Sequence, residues 1–141
     1  MTIAALITWL VTALGGFSML GTWIARGGVR SGRSHLPVPV VLGHFLLAAV
    51  GLVVWIVYLF ADRSALAWTA FGLLLPVALL GFVMFARWLP SLRAHTVEPQ
   101  GAPGAAEAAP AESAFPVPVV VGHGLFAVVT LVLVLLAALR G

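Results

Sequence analysis

Two histidines stand at the end of the same short string. Pro37 to Val41 is followed by Leu42, Gly43 and His44, and Pro116 to Val120 by Val121, Gly122 and His123. Each string opens a long apolar run. A helix beginning near Val38 carries His44 six residues inward, about 9 Å along the axis, and His123 lies at the same depth in its own run. An ionisable side chain so deep in an apolar segment is costly and counts by default as a functional-site candidate. Two neutral imidazoles on opposing helices are the axial ligands of a six-coordinate b-type haem. His44 and His123 are therefore the expected metal ligands and haem b the expected cofactor.

The surrounding residue types suit a flat macrocycle. Gly43, Gly122, Ala48 and Ala127 would edge a slot with small side chains. Arg26, Arg33, Arg87 and Arg93, beyond the helix ends, would meet the two propionates. Thr8, Thr12, Gly15, Ser18 and Thr22 form a stripe on the first apolar run. Their hydroxyls are expected to hold the outer N–H of an axial histidine and fix its ring. The competing expectation is structural: small residues pack helices in any membrane bundle, and each histidine can bond a threonine or a backbone carbonyl.

Other chemistries find no support in the sequence. There is no cysteine, and no Asp or Glu falls within any apolar run. That argues against zinc or copper ligation and against carboxylate-driven proton transport. A phosphate loop, a G-x-S-x-G elbow and a carboxylate pair are all lacking. The chain is at most a redox, electron-transferring component, in which a cofactor does the chemistry. His35 and His95, among loop arginines, read as solvated.

The elements that must position these residues follow from composition. The chain is 62% hydrophobic and 8% charged, where a soluble domain carries about 25% charged residues. Seven arginines and no lysine do not make the basic surface that nucleic acid requires. Four segments reach the roughly 20 apolar residues that span a bilayer: Ile3–Ala25, Val38–Phe60, Ala65–Phe85 and Val117–Leu139. The first lacks a basic leader and a small-residue cleavage site, so it reads as a retained helix. Arg26, Arg30, Arg33, Arg87 and Arg93 lie on one side, against Arg63 and Arg140 on the other. The positive-inside rule then puts both arginine loops in the cytoplasm, and both termini outside, of a cell inner or plasma membrane. Trp23 and Trp88 are expected at one interface, and Trp55, Tyr58 and Trp68 at the other.

The string repeat extends into a longer match. Thr12 to Gly15 resembles Thr69 to Gly72, Leu20-Gly21 matches Leu80-Gly81, and Ser31 to His35 resembles Ser91 to His95. The fold expected is an all-α membrane protein: a four-transmembrane-helix bundle built from two tandem parallel two-helix repeats. Residues 1–61 and 62–141 are the repeats of one membrane domain, related by an axis along the membrane normal. About three extra residues fall near Pro76, where a kink is expected, and nineteen in the second loop. Residues 96–113 read as a disordered cytoplasmic loop whose glutamates are solvated. The function expected is an integral membrane haem b protein used for electron transfer or haem handling. The alternative is a cofactor-free accessory or scaffold subunit. Expected partners are the lipid bilayer and either a larger membrane complex or further copies of the chain.

Overall fold

Unbroken apolar sequence closes its own backbone hydrogen bonds as helix, and four such helices make up the fold. In the computed structural model they are α1 (Thr2–Ala25), α2 (Val38–Ala61), α3 (Ser64–Val97) and α4 (Val117–Arg140), with a short 3₁₀ turn, Ala111–Ala114, before α4. The structure describes residues 1–30, 32–97 and 109–140, without the side chains of 93–97. All four helices are long and apolar enough to cross a membrane.

The helix starts and stops have local causes. Pro37 caps α2, with proline again in its first turn, where a missing N–H leaves no bond unmade. Neither Ser34 nor Ser113 acts as a side-chain cap; both hydroxyls are engaged elsewhere. Asp62 ends α2 in the left-handed conformation, and its N–H bonds back to the Tyr58 carbonyl. Only Asp62 and Arg63 separate α2 from α3. At the end of α1, the Gly28 N–H reaches the Trp23 carbonyl and the Gly27 N–H reaches that of Ile24. This is the paired Schellman closure, with Gly27 at φ +80°. Gly28 admits no other residue without rearrangement, because a Cβ there would fall inside the Trp23 indole.

α3 runs twelve residues beyond the expected Phe85, passing through Pro76 and Pro90 without a break. Arg87 and Arg93 are therefore helical rather than in a loop. The extension is held by packing: Trp88 and Ser91 are buried, and the Ser91 hydroxyl bonds the Trp88 carbonyl.

α2 packs chiefly on α3 and α1 chiefly on α4. α3 touches α4 less, α1 touches α2 least, and α2 and α4 lie diagonally without packing on one another. Two ends can be distinguished. The terminal end carries both chain termini and the α2–α3 turn; the loop end carries the two longer connections. The terminal-end core sets Trp9, Trp55 and Tyr58 among Ala5, Ala67, Ala70, Ala137 and Ala138. Alanines bring the backbones close and the rings fill what remains. Trp9 lies over Gly51, where a Cβ would stand 3.1 Å from the ring. The loop-end core is smaller: Trp23, Leu36, Val41 and Ala111.

Of the five residues expected in interfacial belts, only Trp68 is exposed; Trp23, Trp55, Tyr58 and Trp88 are buried. The cause is steric: these rings fill the gaps between helices joined through small residues.

Candidate functional site

The histidines sit between the two cores, one on each diagonal helix. Their rings are neighbours, with centroids 6.2 Å apart and planes inclined by 51°. His44 Nδ1 lies 2.9 Å from the Val77 carbonyl of α3. His123 Nδ1 lies 2.8 Å from the Thr12 carbonyl of α1. A carbonyl only accepts, so in each bond Nδ1 carries the proton and donates it. In the neutral ring this leaves Nε2 with a lone pair, the tautomer that histidine metal ligands adopt.

Glycine makes both bonds reachable. The carbonyl of a helical residue already accepts from the N–H four residues on, and it has a second lone pair. Side chains lean toward the helix N-terminus and cover the preceding turn. The residue four on from Thr12 is Gly16, and four on from Val77 is Gly81. A Cβ at Gly16 would lie 3.2 Å from His123 Cε1, and one at Gly81 3.4 Å from His44 Cε1. Gly15 also faces His123: a Cβ there would lie 3.5 Å from its Cβ and 3.7 Å from its ring Nδ1. The bare backbone is the surface on which each imidazole rests.

The remaining expected residues fall as follows. Gly43, Gly122, Ala48 and Ala127 are all partly exposed within the helices. Gly43 approaches Leu80 of α3, while a Cβ at Gly122 would meet nothing within 4 Å. The hydroxyl stripe of α1 does not hold the histidine. Thr8, Thr12, Ser18 and Thr22 each donate to a carbonyl three or four residues back in α1. Thr12 does hold His123, through its backbone. The Thr130 hydroxyl of α4 shares its one proton between the Thr8 hydroxyl at 2.9 Å and the Phe126 carbonyl at 2.8 Å, a link with no counterpart among the described side chains of α2 and α3.

Arg87 donates to the His35 carbonyl at 3.1 Å. It stands six residues past Gly81, about 9 Å along α3. Arg26 is ten residues past Gly16, about 15 Å along α1, and lines an outward-opening cavity with Arg30 and Arg33. The side chain of Arg93 lies outside the described residues, as does that of His95.

A buried carboxylate went unforeseen. Residues 111–114 form the 3₁₀ turn and Glu112 is fully buried, so this part of the expected disordered loop is ordered; residues 98–108 lie outside the described residues. Glu112 accepts from the Ser34 hydroxyl at 2.6 Å and the His35 N–H at 2.7 Å, and it faces His35 Nδ1 at 3.2 Å. Ser34 in turn accepts from the Trp23 indole and the Leu36 N–H. The Ala111 N–H meets the Arg33 carbonyl. One hydroxyl and one carboxylate thus tie the described parts of the two connections together at the loop end. The only hint in the sequence is that Glu112 precedes the Ser113 of the repeated string.

The two histidine-bound carbonyls, of residues 12 and 77, are 65 positions apart. At that spacing Ala13 to Trp23 and Ala78 to Trp88 agree at six of eleven positions, Gly16/Gly81 and Trp23/Trp88 among them. Ala5/Ala70, Trp9/Leu74 and Trp23/Trp88 are buried in both helices. This register differs from the spacing of 57 to 60 expected from the sequence, which pairs Thr12 with Thr69 and Leu20-Gly21 with Leu80-Gly81.

Among the described residues no group of three or more His, Cys, Asp or Glu side chains could hold a metal ion. No protein-family model, curated protein or solved structure matches the chain.

Proposed function

We propose that the chain is an integral membrane protein that binds b-type haem between His44 and His123, for electron transfer or haem handling. The observation that carries this reading is the ring pair. Two imidazoles bound head-on to one metal at about 2 Å each set their centroids about 6 Å apart, and the pair here stands at 6.2 Å. The donor set agrees with it. Two imidazoles without a carboxylate or thiolate suit a group that brings its own four equatorial nitrogens.

The bound group would supply one-electron chemistry at its iron. The chain's own residues do the rest. His44 and His123 bind from opposing helices, while the Val77 and Thr12 carbonyls fix each ring and raise its basicity through the Nδ1 proton. Gly16 and Gly81 keep those carbonyls open. Arg87 is the propionate partner favoured by position along its helix. The terminal-end core keeps water from one side of the pair, and Trp23, Leu36 and Val41 from the other.

The four apolar helices support a membrane location, and five arginines against two support loop-end connections in the cytoplasm. The matched helix contacts and the 65-residue spacing support two tandem repeats, α1–α2 and α3–α4. On that register the second connection is fourteen residues longer than the first.

The test is an optical spectrum of protein produced with a haem supply, purified in mild detergent and recorded oxidised and reduced. The expected result is a low-spin bis-histidine spectrum that H44A and H123A each abolish and H35A retains. A colourless wild-type preparation overturns the proposal. The second reading, a cofactor-free scaffold subunit, draws on the same two bonds, which tie α2 to α3 and α4 to α1 unaided. It predicts a colourless chain that co-purifies with a partner complex.

A further inference from the structure

The α1–α2 connection folds three arginines around one open cavity of about 490 Å³, lined by Ile24, Ala25, Arg26, Gly27, Val29, Arg30 and Arg33. No lining residue is acidic. The cavity at the terminal end differs in this respect, since its lining sets Asp62 with Arg140. Convergence of the Arg26 and Arg30 guanidinium groups on one cavity with no acidic lining residue, at the edge of an apolar bundle, is unfavourable unless an anion joins them. A topogenic role needs positive charge in the loop but does not need it gathered in one place.

Helix capping does not account for the cluster either. The last carbonyls of α1 are met by backbone N–H groups: Thr22 by Arg26, Trp23 by Gly28 and Ile24 by Gly27. Among the described residues, the Arg26 and Arg30 side chains have no hydrogen-bond or ion-pair partner. The turn itself gathers the side chains. Gly27, at φ +80°, reverses the backbone, and the Arg30 and Arg33 side chains both fold over it, at 3.7 and 4.0 Å from where its Cβ would be. Beside the charges stand Ile24 and Val29, each more than half exposed. Guanidinium forks beside exposed aliphatic groups, at the end of a membrane-length helix, match the two parts of a phospholipid: an anionic phosphate above and acyl chain below.

We infer that this turn is a binding site for a phosphate group at the bilayer surface, carried by an anionic phospholipid, with Arg26 and Arg30 as its principal contacts. The site is independent of the histidine pair and stands whether or not haem binds.

The test is native mass spectrometry of detergent-solubilised protein offered equal phosphatidylglycerol and phosphatidylcholine. R26Q/R30Q is compared with R63Q/R140Q, which loses the same charge at the terminal end. Circular dichroism and gel filtration confirm that both fold. The wild type and R63Q/R140Q are expected to retain phosphatidylglycerol over phosphatidylcholine, and R26Q/R30Q to lose roughly tenfold of that preference. A parallel arm adds millimolar inorganic phosphate. Resistance to it assigns the site to lipid; displacement keeps the phosphate site but makes a soluble anion its occupant. Equal retention of both lipids by the wild type, or an unchanged preference in R26Q/R30Q, overturns the inference.

Discussion

The seam between α2 and α3 and the seam between α1 and α4 hold their histidines alike and differ in almost everything else. Both use a backbone carbonyl as acceptor, a glycine four residues on, and an imidazole from the helix that carries the Gly-His pair. The α1–α4 seam adds a second glycine, Gly15, and a hydroxyl bond from Thr130 to Thr8. Its counterparts on α3 are Leu80 and Leu73. The loop end differs further: Glu112 precedes α4, while nothing acidic precedes α2. What the seams share is what an oriented imidazole requires. What they do not share belongs to packing each pair of helices.

The unshared carboxylate is expected to give the largest change in stability. E112A leaves the Ser34 hydroxyl and the His35 N–H without their buried acceptor, and it should cost about 3 kcal/mol. Unfolding in a denaturing-detergent titration reads this. A shift no larger than that of an exposed substitution such as R63Q would show the knot to be incidental.

The shared glycines come next. G16A forces a contact of 3.2 Å on His123 and G81A one of 3.4 Å on His44, so G16A should cost about 1–2 kcal/mol and G81A less than about 1. The same titration ranks them. If G81A were the more damaging, the equivalence drawn between the seams would fail.

The smallest effect is expected at the unshared hydroxyl. T130V removes a bond between helices but leaves Thr8 donating to the Ala5 carbonyl. The loss should be about 0.6 kcal/mol, with both histidine bonds intact as judged by the ring-proton resonances. A change in the His123 resonance alone would make Thr130 part of the site.

Both ends of α1, α2 and α4 and the start of α3 were legible almost to the residue, because apolar length and paired prolines state them directly. Val38 and Val117 begin α2 and α4 where the strings place them. The paired depth of His44 and His123 was legible for the same reason. Their partners were not, since a carbonyl belongs to every residue and no letter marks the one that is used. Gly81 stood out only as part of a repeat match, and nothing in the sequence distinguished Gly16. Thr12 drew notice for its hydroxyl, which serves its own helix instead. Glu112 sat in a stretch whose composition speaks for solvation. Its burial depends on Ser34, His35 and Trp23, which lie some 80 to 90 positions earlier and which composition does not connect. The end of α3 was not legible because two prolines and two arginines suggest a stop that Trp88 and Ser91 override by packing.

The pairing of helices also sets an order of assembly. His44 finds its carbonyl 33 residues further along the chain, and α2 and α3 are joined by two residues, so this hairpin can close while synthesis continues. α1 has no such early partner. Its principal neighbour is α4, the last of the four in chain order; His123 reaches back 111 residues to Thr12, and Glu112 reaches back 78 to Ser34. Until the final segment arrives, α1 must wait beside the finished hairpin with little to hold it. A chain stopped short of α4 therefore loses the first helix's anchorage together with the last helix itself.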